Sequence, residues 1–195
     1  HAVVSLAAIR LGKHVYCEKP LTHSIEEARK VTEEARKAKV ATQMGNQGHS
    51  SDTIRQICEW LWDGAIGTVR EVHAWSDTGG WAAMEDRPKD APPCPPGIDW
   101  DLWIGPAPYR PYHPAYAPYN WRGWWDFGTG AIGDMGCHNI DPAFWALKLG
   151  APQTAECFSP RLSAEVTPLG TIARFSFPAR EGLPPLKLTW YDGGL

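Results

Sequence analysis

At 195 residues the chain is long enough for one full hydrophobic core or for parts of two domains. Hydrophobic residues at 43% and charged residues at 21% exclude an intrinsically disordered chain, and a net charge of −3 without a Lys/Arg cluster argues against nucleic-acid or anionic-membrane partners. No apolar run approaches the ~20 residues that span a bilayer.

The first segment, His1 to Gly12, is apolar, with no basic start and no small-residue cleavage site after it. It reads as a buried helix stopped by Gly12 rather than as a signal peptide. His14 to Cys17 is a short β-prone run halted by Pro20. Ser24-Ile25-Glu26-Glu27 is a capping box that opens a charged helix reaching about Lys39. Val40 to Met44 is the next strand, ended by Gly45. Helix and strand in alternation with short connections predict the rear part of a Rossmann-type parallel sheet over residues 1–47. Two strands do not make a stable doubly wound sheet, so the expectation is an internal piece whose remaining strands precede His1.

From Ser50 a helix is predicted to about Asp63, with Ile54, Ile57, Cys58 and Leu61 on one face. Thr68 to Trp75 alternates in part at period two, as a half-buried strand does. Residues 78–123 are rich in Pro, Gly and aromatic side chains and almost free of periodicity. So long a loop is usually functional or packed over something. Asp134 to Leu149 reads as a helix, and strands are predicted near 154–159, 170–177 and 186–191. The fold class is therefore α/β: a Rossmann remnant (1–47), then an incomplete α/β domain (48–195) on a mainly antiparallel sheet.

Five cysteines lie at scattered spacings with no C-x-x-C pair, so neither a zinc site nor a disulfide framework is expected. Eleven tryptophans are the oddest statistic, most of them between Trp75 and Trp125. Flat aromatic faces suit the C–H faces of sugars, and Trp is equally a core and interface residue; packing is the commoner use.

Two constellations carry chemistry. Gly12-Lys13-His14-Val15-Tyr16-Cys17-Glu18-Lys19-Pro20 puts a carboxylate, an amine and a rigid turn at the C-terminal end of a parallel strand, where open α/β sheets bind ligands. A lysine there neutralises an oxyanion forming on substrate; the plain reading is a solvated Glu–Lys pair beside a turn. The second is Gly128-Thr129-Gly130-Ala131-Ile132-Gly133-Asp134-Met135-Gly136-Cys137-His138-Asn139-Ile140-Asp141. Its glycines let backbone approach a ligand closely, and Asp134 and His138, four apart, share a helix face. A His held by carboxylates is a general base near neutral pH; the plain reading is an N-capping Asp beside a half-buried His. Asp-x-x-x-His alone is a weak metal signal, and no metal is expected.

Both constellations resemble the signatures of the glucose–fructose oxidoreductase/inositol dehydrogenase/rhizopine catabolism family, over nearly the whole chain. The stretch from Asn120 to His138 is similar to an environmental-bacterial branch of it. The resemblance implies an oxidoreductase that passes hydride between NAD or NADP and a sugar, polyol or derivative. Lys19 then matches the catalytic lysine, and Glu18 and Pro20 its neighbours around the nicotinamide ribose. His1 matches a histidine after the cofactor-lining turn. Asp134 and His138 match the pair that handles the hydroxyl proton, His138 as base and Asp134 assisting. Met44 to Gln47 falls where many members border the substrate, with Gln47, Gly48 and His49 in place of the usual arginines. Trp121 and Arg122 match a Trp-Arg pair assigned here to substrate contact. The G-x-G-x-x-G fingerprint and its ribose-binding acid are absent, so this stretch alone is not expected to hold a dinucleotide, whereas a parent protein would. The resemblance also implies a homo-oligomer through the second-domain sheet, and it leaves localisation open, since relatives of this branch can carry twin-arginine export signals. Redox-assisted glycoside cleavage and a non-catalytic carbohydrate-binding protein stand as alternative functions.

Overall fold

The computed structural model describes residues 1–82 and 86–195, so residues 83–85 of the long aromatic segment lie outside the described residues. The chain opens with helix α1 (Ala2–Arg10), strand β1 (Val15–Glu18), helix α2 (Ile25–Ala38) and strand β2 (Thr42–Gly45). The strands pair in parallel, Val15 opposite Thr42 through Glu18 opposite Gly45, as the alternation of elements demands. The capping box forms: the Ser24 hydroxyl accepts from the Glu27 amide, and the Glu27 carboxylate accepts from the amides of Ser24 and His23. Lys39 ends α2 in the left-handed region at φ 53°.

The opening helix is not buried all round. Ala2, Ser5 and Ile9 face inward, while Val3, Val4 and Leu11 are exposed. Two strands offer too little surface to cover an apolar helix on every side. An apolar groove of 520 Å³, lined by Ile9, Val15, Cys17, Val31 and Met44 among others, runs between helices and strands.

A 3₁₀ turn (Gln47–Ser50) leads into α3 (Asp52–Trp62), whose Ser51 hydroxyl caps the Ile54 amide. Ile54, Ile57, Cys58 and Leu61 are its covered positions, as the periodicity predicts. The second sheet holds β3 (Glu71–Trp75), β4 (Thr154–Phe158), β5 (Ile172–Phe177) and β6 (Leu186–Tyr191), in the order β3-β6-β5-β4. The β3/β6 pair is parallel and the other two pairs are antiparallel. Leu186, Leu188 and Trp190 of β6 are fully covered, and helices of the 130–146 region pack on that face through Ile132, Met135 and Ala143.

The aromatic segment is less irregular than its sequence suggests. It contains α4 (Trp100–Ile104), capped by the Asp99 carboxylate on the Leu102 amide at 3.0 Å, and a 3₁₀ turn at Asn120–Gly123. Its rings pack on one another: Trp100 stacks on Trp103 at 4.6 Å, and Tyr116 meets Trp124 edge-on at 4.8 Å. Trp100 and Trp124 are buried, each indole N–H donating to a backbone carbonyl. Inside this core the Arg110 guanidinium lies over the Tyr116 and Phe127 rings and pairs with Asp126 and Glu165. Core packing therefore uses Trp100, Trp103, Tyr112, Tyr116, Trp124 and Phe127, while Trp75, Tyr109, Tyr119 and Trp125 stay exposed.

The helix predicted from Asp134 to Leu149 is two helices, α5 (Gly130–Asn139) and α6 (Asp141–Ala146). Pro142 has no N–H to continue α5 and instead occupies the first turn of α6. Asp134 therefore sits mid-helix and caps nothing. No helix among the described residues is long and apolar enough to cross a membrane.

Candidate active site

Residues 115 apart in sequence meet at the C-terminal ends of β1 and β2. The Lys19 ammonium donates to Asp134 Oδ1 at 2.8 Å and lies 3.3 Å from the Asp134 carbonyl. The other carboxylate oxygen, Oδ2, is 3.5 Å from Nε of Arg122. Arg122 is itself fixed: its guanidinium lies over the rings of Tyr119 and Trp121, at 4.3 and 4.4 Å, and donates to the Tyr119 carbonyl. Asp134 is 7% exposed, so its charge is compensated by two cations rather than by water.

The glycines explain how Arg122 comes so close. A Cβ on Gly128 would lie 2.6 Å from Arg122 Cα and carbonyl carbon, and nearer still to its oxygen. One on Gly133 would collide with the Thr129 side chain, and Gly130 adopts φ 67° against Thr167. The glycine run thus admits neighbouring protein, and its first member, Gly128, also lines the site cavity.

Lys19, Trp121, Arg122, Gly128 and Asp134 line a cavity of 340 Å³ with His1, Glu18, Pro20, Thr22, His23, Phe127 and Thr129. His1 Nδ1 is 3.0 Å from the Glu18 carbonyl and 2.8 Å from that of Pro20, across the cis Lys19–Pro20 bond. The positions expected to hold cofactor therefore stand together. Trp121 supplies the aromatic wall expected from the 75–125 segment, with Phe127 just beyond it.

Other expected positions lie elsewhere. His138, one turn beyond Asp134 on α5, is half-buried and is not among the residues that line this cavity. The Asp134 carboxylate faces Lys19 and Arg122, where pairing with His138 was expected. Gln47 is exposed on the 3₁₀ turn, and His49 stacks on Trp145 at 4.2 Å while its Nδ1 binds Asp141 Oδ2 at 2.8 Å. Neither lines the cavity.

Two further polar side chains stand at this seam: His23 carried no motif, and Asn46 only its place in the Met44–Gln47 stretch. His23 Nε2 reaches the carbonyls of Trp125 and Gly128. Asn46, 6% exposed, donates from Nδ2 to the Cys137 carbonyl at 2.6 Å. Their only sequence signal is place: each follows the C-terminal end of a parallel strand by a few residues. Burial pushes the Cys137 thiol up, outweighing the opposing pull of Lys19, so this cysteine stays protonated at neutral pH. No three His, Cys, Asp or Glu side chains gather as a metal site among the described residues.

A family model described as "Oxidoreductase family, NAD-binding Rossmann fold" matches residues 1–46, and one described as "Oxidoreductase family, C-terminal alpha/beta domain" matches residues 56–158. The chain belongs to the glucose–fructose oxidoreductase/inositol dehydrogenase/rhizopine catabolism family. A 1,5-anhydro-D-fructose reductase of Ensifer adhaerens is 38% identical over 77 residues, 38% of this chain and 23% of that protein. Inositol 2-dehydrogenase 3 of Saccharopolyspora erythraea is 36% identical over 74 residues, 37% of this chain and 22% of that one. The WlbA dehydrogenase of Bordetella pertussis, solved in complex with NADH and UDP-GlcNAcA, superimposes with a TM-score of 0.62 at 15% identity, over 97% of this chain and 47% of that one. That likeness shows the shared fold. The chain spans about a quarter of the length of the two named relatives.

Proposed function

We propose that the whole protein is an NAD- or NADP-dependent oxidoreductase acting on a sugar, polyol or derivative. Its substrate end is the cavity at Lys19 and Asp134. One observation carries the reading: an ammonium and a carboxylate, 115 residues apart and on separate structural units, bonded at 2.8 Å inside one cavity at the strand ends. Packing alone gives no reason for that meeting. The relatives' names, a reductase and a dehydrogenase of small carbohydrates, support the substrate class.

The residues on the β1 side of the cavity fit the nicotinamide–ribose end of a dinucleotide. Lys19 and Thr22 offer donors to ribose hydroxyls, and Glu18 offers an acceptor. Bound nicotinamide would supply the hydride acceptor or donor. Lys19 holds positive charge where alkoxide forms on the substrate, in a place only partly open to water. Arg122 and Lys19 hold the Asp134 carboxylate between them, so that the Lys19 ammonium stays aimed. In this reading a substrate that extends beyond the cavity lining, one turn along α5, brings its hydroxyl to His138, which takes the proton. Trp121 presents a ring to the C–H face of the sugar.

The outward face of the second sheet carries Glu71, His73, Glu156, Arg174 and Lys187 around a polar concavity of 470 Å³. In the same proposal this mixed-charge face receives a second copy, and light scattering on the whole protein reads the assembly. Function is tested with the whole protein, NAD⁺ or NADP⁺, and myo-inositol or levoglucosan, or with 1,5-anhydro-D-fructose and the reduced cofactors. Sustained change in reduced-nicotinamide absorbance is the expected result. Glycoside cleavage with the cofactor unchanged overturns net oxidoreduction, and sugar binding that survives Lys19→Ala/His138→Ala without any redox change overturns catalysis.

A further inference from the structure

The loop that carries Lys19 is held at both ends by imidazoles. On one side His1 Nδ1 meets the carbonyls of Glu18 and Pro20. On the other, His23 reaches across to the second unit, with Nε2 2.8 Å from the Trp125 carbonyl and 3.3 Å from the Gly128 carbonyl. Both neighbours are acceptors, so Nε2 carries a hydrogen and donates to them. The backbone from which the imidazole projects is rigid, because the Glu27 carboxylate accepts the His23 amide at 2.6 Å as part of the α2 capping box. Its target is equally constrained. The Trp125 amide donates to Glu165, the Phe127 and Gly128 amides to Trp124, and Gly128 lies flat against the Arg122 backbone. Two residues later that turn becomes α5, which carries Asp134.

We propose that His23 is a positioning residue: its Nε2–H clasps the 125–128 turn to the β1 side of the cavity and so holds Asp134 and Arg122 in register with Lys19. The proposal rests on the cavity's being the reacting site, and it adds the part that sets the gap between the two units. The Lys19–Asp134 contact has few other direct ties beside it. Asn46 on the Cys137 carbonyl is one, and it grips α5 from the β2 side, beyond Asp134. His23 grips the turn before α5. The helix is thus held on both sides of the carboxylate, and releasing either grip lets Asp134 move away from Lys19.

The test reads that contact without turnover. The whole protein is acetylated with limiting acetic anhydride, and mass spectrometry compares labelling of Lys19 with that of exposed Lys13. An ammonium bonded to Asp134 reacts slowly. His23→Ala raises the Lys19/Lys13 ratio roughly three- to tenfold, the range a lost hydrogen bond carries. His23→Gln, whose amide nitrogen reaches the position of Nε2, restores the wild-type ratio, and the shorter His23→Asn does not. A general loosening of the fold would not separate Gln from Asn. If His23→Ala does not fold, the Gln and Asn variants alone decide. An unchanged ratio in His23→Ala, or equal ratios in Gln and Asn, overturns the proposal. A protein that oxidises no sugar still gives a readable ratio, so failure of the proposed function is recorded separately.

Discussion

Replacing Gly128 by alanine adds one methyl group at the point where the glycine run meets the backbone that carries Arg122. The new Cβ would sit 2.6 Å from Arg122 Cα and carbonyl carbon. That is roughly 1 Å inside optimal carbon–carbon separation. The obstacle is backbone and not the end of a flexible side chain, so no rotamer change relieves it. Overpacking of this kind costs about 1–3 kcal/mol, and with three backbone atoms in the way the upper half of that range is expected. For a chain of this size about 2–3 kcal/mol corresponds to a fall of roughly 4–12 °C in Tm. The 120–123 turn would shift outward and take Arg122 from Asp134, so the labelling ratio of Lys19 should rise with the loss of stability. Gly150→Ala is the control: nothing lies within 4 Å of its Cβ, and the change should be neutral or slightly stabilising. Urea denaturation of both variants and wild type is the assay. A Gly128→Ala protein within about 0.5 kcal/mol of wild type, the ordinary surface range, refutes the claim that these glycines exist to admit Arg122.

Lys19→Met in the whole protein removes the donor to Asp134 and the cation at the reacting oxygen, and turnover should fall by ~10²–10⁴, with dinucleotide affinity changed far less; His138→Gln should lower kcat by a similar ~10²–10⁴ with KM little changed, and an unchanged kcat removes His138 from the proton path. Arg110→Met removes the buried cation beside Asp126 and Glu165, and since Arg87 still pairs with both and each keeps about a quarter of its exposure the cost should be about 1–3 kcal/mol by chemical denaturation. Arg110→Lys should recover little, because a point charge does not span two carboxylates and lie over Tyr116 and Phe127 together; full recovery counts against that account. Burial raises the pKa of Asp192 against the hydrogen bonds it accepts from Trp190 Nε1 and the Thr171 backbone. The folded chain then holds this proton to higher pH than the unfolded one, so Asp192 costs stability as pH rises from the unfolded value of about 4 through the folded one. Asp192→Asn should exceed wild type in urea denaturation at neutral pH, with the gain shrinking as pH falls toward about 4. A difference independent of pH contradicts the assignment.

The sequence by itself determined the element order of both sheets, because period-two runs, the Ser24 capping box and the Gly and Pro stops are local signals needing no partner. It also marked Lys19 and Asp134, through motifs whose residue types suit proton and charge handling. It misread two things, each because the deciding contact was distant. The helix drawn from Asp134 to Leu149 starts at Gly130, since glycines that look permissive are required by Thr129, Thr167 and the Arg122 backbone, none of which periodicity can see. For the aromatics of the 75–125 segment packing is the commoner reading, and Trp100, Trp103, Tyr112, Tyr116 and Trp124 do share one core, while Trp75, Tyr109, Tyr119 and Trp125 stay exposed. The His138 ring was assigned to Asp134 from helical spacing, whereas the carboxylate found two cations from other elements, and Coulomb attraction in a buried place outweighs proximity along a helix. Only the tertiary structure placed His23 and Asn46 across the seam, since each acts through backbone carbonyls, and a carbonyl has no sequence signature.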